Sequence, residues 1–179
     1  MKKCVFLDRD GVLNQDPPHY VHKIEDMVIL SRVGEAIKLL NDNGFLVIVV
    51  SNQSGVGRGK YTKKDVEIFH TEMKSRLYDG YGAWITDFFY CPHTKEENCM
   101  CRKPKPEMLL NAAYLYSIDL PNSWLIGDKR TDCEAADAAG VRSILVLTGH
   151  GQEEVKKPGS HRVSNDLYSA VTEYIVDVK

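Results

Sequence analysis

The sequence predicts an α/β fold in which a parallel β-sheet carries helices on both faces. Three observations predict it. Short apolar runs rich in β-branched and aromatic residues alternate with stretches of helical spacing along the chain. The runs are near-continuously hydrophobic, as strands buried on both faces must be. Polar clusters follow four of the runs directly, and in open parallel sheets ligands bind at the carboxyl ends of the strands.

In chain order, residues 4–7 read as the first strand, followed by Asp8-Arg9-Asp10-Gly11. Val33, Ile37 and Leu40 fall at helical spacing before a second strand over 45–50, which runs into Ser51-Asn52-Gln53. A helix carrying Val66, Phe69, Met73 and Leu77 opens with the capping signal Thr62-x-x-Asp65. The third strand, 85–90, leads into the Cys/His segment 91–103. Pro106 starts a helix with Met108, Ala112 and Leu115 on its apolar face, and 124–126 forms a strand ending in Gly127-Asp128. The Ala-rich stretch 131–139 is a helix that stops at Gly140. A strand over 143–147 follows, and Leu167, Ala170, Val171, Tyr174, Ile175 and Val178 give a last helix.

Composition bounds the function. The 179 residues carry 23 Lys and Arg against 25 Asp and Glu, with 43% hydrophobic side chains, which fits one globular domain over 1–179 with a core of its own. A net charge of -2 argues against nucleic-acid binding or a polybasic membrane contact. No apolar run approaches the roughly 20 residues of a membrane span, and no signal peptide precedes Asp8. The expectation is a cytoplasmic monomer. Of the five cysteines, three lie close together beside a histidine, which suggests a metal site in a reducing compartment, while Cys4 and Cys133 read as buried hydrophobes.

Asp8-x-Asp10-Gly11 alone is equally a solvated turn. Gly127-Asp128 and Asp132 put further carboxylates on the same sheet edge, where crowded carboxylates call for a cation and hard oxygen ligands favour Mg2+. Asp8, Asp128 and the Asp10 carbonyl supply that ligand set, with Asp132 orienting a water beside it. Ser51 offers a hydroxyl and an N–H to a phosphoryl oxygen, and Lys103 a point charge.

These motifs, Asp8-x-Asp10, Ser51, Lys103 and Gly127-Asp128-x-x-x-Asp132, resemble the four motifs of the haloacid dehalogenase superfamily, over nearly the whole chain. Residues 6–11, 51–55, 58–60, Cys91-Pro-His93, Cys99-x-Cys101-Arg-Lys-Pro104 and 127–129 are most similar to its heptose 1,7-bisphosphate phosphatases. The resemblance implies a Rossmann-like core without a large cap domain and a small phosphorylated sugar as substrate, in the synthesis of activated heptose for lipopolysaccharide. It implies that Asp8 is a nucleophile forming an aspartyl-phosphate and that Asp10 is the acid/base. Asp8, Asp10 and Asp128 are then the Mg2+ ligands, and Ser51, Asn52, Gln53, Ser54, Arg102, Lys103 and Lys129 line the substrate site. Asp16, His19 and Tyr20 lie in a substrate-contacting flap, although 16–20 is one residue longer than the family pattern. Histidinol-phosphate phosphatases share the motifs and are the second reading, against which Arg102 favours a second phosphate. A non-catalytic phospho-acceptor module is the alternative of another class.

Cys91-x-His93-x5-Cys99-x-Cys101 supplies three thiolates and an imidazole, the ligands of a closed, structural Zn2+ site that would staple a polar loop and aim Arg102 and Lys103. The remaining singled-out residues take ordinary roles. Gly55-Val-Gly57-Arg-Gly59 reads as a flexible loop with Arg58 turned to the substrate, and His19 and His22 as solvated. His70, His150 and His161 receive no role, and Trp84, Trp124, Tyr114 and Tyr116 read as core or interface.

Overall fold

The computed structural model describes residues 1–157, 159 and 161–176. Six parallel strands form one sheet in the order β3-β2-β1-β4-β5-β6. They are β1 (Cys4–Leu7), β2 (Leu46–Asn52), β3 (Asp87–Cys91), β4 (Trp124–Gly127), β5 (Arg142–Val146) and β6 (Arg162–Ser164). The helices are α1 (Val33–Asp42), α2 (Lys63–Tyr81), α3 (Glu107–Tyr116), α4 (Arg130–Ala139), α5 (Gly151–Glu154) and α6 (Leu167–Tyr174). The α/β parallel architecture predicted from sequence is the one observed.

The sheet divides two cores. On β1, Val5 and Leu7 face a cluster built with Ile37 and Leu40 of α1, Phe69, Met73 and Leu77 of α2, and Leu167 and Val171 of α6. Cys4 and Phe6 face the other way, onto Met108, Leu109 and Ala112 of α3 and Ala135 and Ala136 of α4. This period-2 division is why every residue of β1 is fully buried and why its sequence shows no polar alternation. Helix α2 begins at the predicted capping box, with the Thr62 N–H donating to Asp65 Oδ2 at 2.7 Å and the Asp65 N–H donating to Thr62 Oγ1 at 3.2 Å. Helix α4 ends at Gly140, whose φ of 71° suits glycine.

Several expectations need correction. Strand β6 and the short α5 have no apolar run or helical stripe to announce them; β6 contributes only Arg-Val-Ser and is held by pairing with β5. Leu115 of α3 is 62% exposed, and Leu109 takes its place in the core. Tyr114 and Trp84 are exposed, whereas Trp124 is buried, with Arg142 stacked 4.1 Å from its ring centroid. The helical reading at Val178 lies outside the described residues. No helix among the described residues is long and apolar enough to cross a membrane.

β1 is central because the chain adds β2 and β3 on one side and β4, β5 and β6 on the other. The resulting switch point, between β1 and β4, opens a crevice at the strand carboxyl ends. There the Asp8 N–H donates to Ile126 O at 2.9 Å, tying the residue after β1 to the end of β4.

Candidate active site

A cavity of about 800 Å³ lies over this edge, lined by Asp8, Asp10, Ser51, Lys103, Lys129 and Asp132 among others. Its floor is an ion-paired cluster. Lys103 is 3% exposed and places Nζ 3.0 Å from Asp8 Oδ1, 2.6 Å from Asp132 Oδ1 and 2.6 Å from Val50 O. Burial alone would lower the Lys103 pKa, but the Asp132 and Asp8 carboxylates outweigh it and raise it. Lys103 is held there by Asn52, whose Nδ2 donates to Lys103 O at 3.1 Å and whose Oδ1 accepts from the Lys103 N–H at 3.0 Å. The Asn52 carboxamide thus braces the Lys103 backbone while the residue lines the cavity. Asp132 also accepts from the Lys129 N–H at 3.0 Å. It therefore orients Lys103 and the start of α4.

Asp10 is held by Arg9 and Asn14, which carry no signal in the sequence, and by Gln53, expected from sequence to line the substrate site. Arg9 Nε donates to Asp10 Oδ1 at 3.0 Å and Nη2 to Oδ2 at 2.9 Å, while Asn14 Nδ2 donates to Oδ1 at 2.9 Å. Gln53 Nε2 donates to Asp10 Oδ2 at 3.0 Å and to Ser51 Oγ at 2.7 Å. Arg9 is fully buried against the Phe69 ring. In sequence Arg9 is only a spacer between two carboxylates, because its function depends on contacts remote along the chain.

Asp128 is the electrostatic outlier. It is fully buried; Oδ2 accepts from the His150 N–H at 2.8 Å, whereas Oδ1 has no hydrogen-bond partner. Burial, and then the Asp8 charge, push its pKa up to about 8, and burial likewise raises Asp132 to about 6 against the pull of Lys103. A carboxylate this crowded is stabilised in its ionised form by a divalent cation. One carboxylate oxygen from each of Asp8, Asp128 and Asp132 lies within 4.8 Å of the others. Both oxygens of Asp132 are engaged, Oδ1 by Lys103 and Oδ2 by the Lys129 N–H, whereas Lys103 meets Asp8 at Oδ1 only, so the donors left for a cation are Asp8 and Asp128 and the residues present fit Mg2+. Gly11 makes room for this arrangement: at φ 87°, a Cβ there would lie 2.2 Å from Asp128 Oδ2.

The flap residues reach the opposite wall. Asp16 Oδ2 pairs with Lys129 Nζ at 2.9 Å and with His150 Nε2 at 3.1 Å. His150, given no role from sequence, is thus part of the site through both its ring and its backbone; nothing in a loop of Thr, Gly and His marks it. His19 and Tyr20 are exposed and line the cavity with Ser54. His22 is half-buried and stacked on Tyr61 at 4.7 Å. The glycine segment is a loop, closed by backbone bonds such as Gly57 N–H to Pro92 O at 2.8 Å and Lys60 N–H to Gly55 O at 2.8 Å. Arg58 turns away from the cavity, to Glu96 at 4.0 Å.

Beside the cavity, Cys91, His93, Cys99 and Cys101 form a Cys3His metal-binding cluster. Cys91 Sγ is 3.5 Å from Cys99 Sγ and 3.6 Å from His93 Nδ1; Cys101 Sγ is 3.3 Å from His93 Nδ1 and 3.6 Å from Cys99 Sγ. Metal–sulfur bonds of about 2.3 Å in a tetrahedron require sulfur–sulfur edges of about 3.8 Å, close to these separations. None is a disulfide. The loop is drawn together by Lys105, whose Nζ donates to Cys99 O and Asn98 Oδ1, both at 2.8 Å. Arg102 Nη1 donates to His93 O at 3.3 Å, and Arg102 lines the cavity as expected.

Comparison with known proteins agrees with this geometry. A HAD-hydrolase-like family model matches residues 100–170. The D-glycero-beta-D-manno-heptose-1,7-bisphosphate 7-phosphatase of Pseudomonas putida is 38% identical over 175 residues, 97% of this chain and 99% of its own. That of Haemophilus ducreyi is 42% identical, covering 95% of this chain and 97% of its own. The Photorhabdus laumondii relative, 38% identical over 93% of each chain, is named for the alpha anomer. Among solved structures, the D,D-heptose 1,7-bisphosphate phosphatase of B. bronchiseptica, complexed with magnesium and phosphate, superposes with a TM-score of 0.90. It is 33% identical, over 96% of this chain and 97% of that one.

Proposed function

Because the chain belongs to the haloacid dehalogenase-like family of heptose 1,7-bisphosphate 7-phosphatases, we propose that it removes the 7-phosphate from D-glycero-D-manno-heptose 1,7-bisphosphate, with Asp8 as nucleophile and Asp10 as acid/base. The observation that carries the residue assignment is the division of labour between the two carboxylates. Asp8 is gripped at one oxygen by Lys103 beside the buried Asp128, while Asp10, two residues on, is held by its own set of donors.

In this reading a carboxylate oxygen of Asp8 attacks phosphorus, the bond from phosphorus to the sugar oxygen breaks, and Asp10 gives that oxygen its proton. Asp10, now ionised, takes a proton from water; the water oxygen bonds to phosphorus, the bond to Asp8 breaks, and inorganic phosphate leaves. Lys103 and the Ser51 hydroxyl neutralise charge on the transferring group, and Arg102 and Lys129 attract the substrate's anionic ends. Mg2+ held by Asp8, Asp128 and the Asp10 carbonyl would supply electrostatic stabilisation of the phosphoryl oxygens. Zn2+ in the Cys3His cluster would be structural, since four protein ligands fill a tetrahedron. Its thiolates suit a reducing cytoplasm.

The test is phosphate release from the bisphosphate in Mg2+, with α- and β-heptose bisphosphates and histidinol phosphate run side by side. The heptose bisphosphates are expected to give the higher kcat/KM, and Asp8→Asn to abolish release while circular dichroism stays unchanged. Robust turnover by Asp8→Asn would eliminate the aspartyl-phosphate route.

A further inference from the structure

We propose that Tyr61 is a positioning residue for this reaction, fixing the acid/base Asp10 through Gln53 and linking it to the flap over residues 16–22. The inference rests on the reading of Asp10 given above. Tyr61 lies in the cavity wall, 7% exposed, with its hydroxyl donating to Gln53 Oε1 at 2.8 Å. Gln53 is itself 2% exposed and spends its amide nitrogen on Asp10 Oδ2 and Ser51 Oγ.

A carboxamide has a donor end and an acceptor end, so which end faces Asp10 matters. With the phenol donating to Oε1, the Nε2 end is turned to the carboxylate. Without it, the amide is free to rotate and bring Oε1 against Asp10 Oδ2, where it faces the ionised base as a second acceptor and takes the proton of the acid form away from the sugar oxygen. Burial pushes the phenol pKa up to about 12, so Tyr61 remains a donor throughout the neutral range.

The loop is shaped to admit this ring. A Cβ on Gly55 would lie 2.0 Å from Tyr61 Cε1, so the glycine is needed for close approach. From the flap, His22 stacks on the ring at 4.7 Å with planes 10° apart, and Tyr20 meets it edge-on at 5.8 Å. Between them, Val21 O accepts from Arg9 Nη2 at 2.9 Å, and Arg9 grips the same carboxylate. Residues 20–22 therefore reach Asp10 from two sides, through Arg9 and through Tyr61 and Gln53.

The experiment uses Tyr61→Phe, which keeps the ring and removes only the hydroxyl. For the sugar bisphosphate, kcat is expected to fall about 10-fold, with KM within a factor of about two and Tm unchanged. For p-nitrophenyl phosphate, whose leaving group departs without a proton, kcat/KM is expected to be nearly unchanged. In a Gln53→Ala background, Tyr61→Phe should have no further effect, because the relay is already cut. Equal losses on both substrates, or full additivity with Gln53→Ala, would overturn the proposal. Asp10→Asn separates it from its premise. If that variant fails to discriminate between the two substrates, the acid/base reading falls and the proposal with it. If it discriminates and Tyr61→Phe does not, Tyr61 alone is excluded.

Discussion

Lys103 sits between Asp8 and Asp132 with almost no exposure, so its removal leaves two buried carboxylates facing each other. Breaking such a cluster from one side costs more than the cluster contributes, because the remaining charges have no compensation. Lys103→Met is therefore expected to abolish turnover and to lower unfolding free energy by about 3 kcal/mol in urea melts. Adding Asp132→Asn should recover part of that loss; a second loss on top of the first would show that the triad does not act as a unit. At this scale the sequence is legible where chemistry follows a strand. Asp8, Ser51 and Asp128 all stand at or just past the end of an apolar run. Arg9, Asn14, Tyr61 and His150 are not legible, since their roles arise from partners brought near only by folding.

At the scale of elements, the legible ones carry a period or a cap. The stripe Val66, Phe69, Met73, Leu77 and the Thr62–Asp65 box are enough to define α2 from its residues alone. β6, with three residues and an exposed arginine, has neither, and its existence depends on β5. The Cys91–Cys101 segment is different again: past the end of β3 it has no helix or strand, and its Cys and His spacing is what makes it readable. A loop of this kind is ordered by metal more than by a core. Purified protein should hold about one zinc per chain by mass spectrometry of metals, retained when Mg2+ is withdrawn. Cys99→Ser should lose it and speed amide exchange over residues 92–105 while β1 and β4 stay protected. Native protein free of zinc, prepared without chelator, would refute the assignment.

For the molecule as a whole, the near-zero net charge conceals opposed groups concentrated at one sheet edge, where folding brings Asp8, Asp128 and Asp132 against Lys103 and Lys129. Another charge-sensitive point lies beneath that edge, between α2 and β3. His70 is 5% exposed, stacked on Phe88 at 4.3 Å and met edge-on by Tyr90, and its Nε2 has no hydrogen-bond partner. Burial, with the Arg9 charge adding to it, pushes its pKa down to about 3. The unfolded chain, with an ordinary histidine near 6.5, takes up a proton that the folded chain refuses. Above that value both states are neutral and His70 adds no pH dependence; as pH falls from there toward 3, the unfolded state binds more protons and stability declines. At pH 5 the loss is about 2 kcal/mol, from one and a half units of differential protonation. His70→Phe fits the same aromatic stack and carries no titrating group. Its stability at pH 7.5 is expected to stay close to that of the native chain, while the difference between pH 7.5 and pH 5 shrinks by about 2 kcal/mol in urea melts. An unchanged difference would mean that His70 is protonated in the folded protein, and that the carboxylates at the sheet edge carry the acid sensitivity instead.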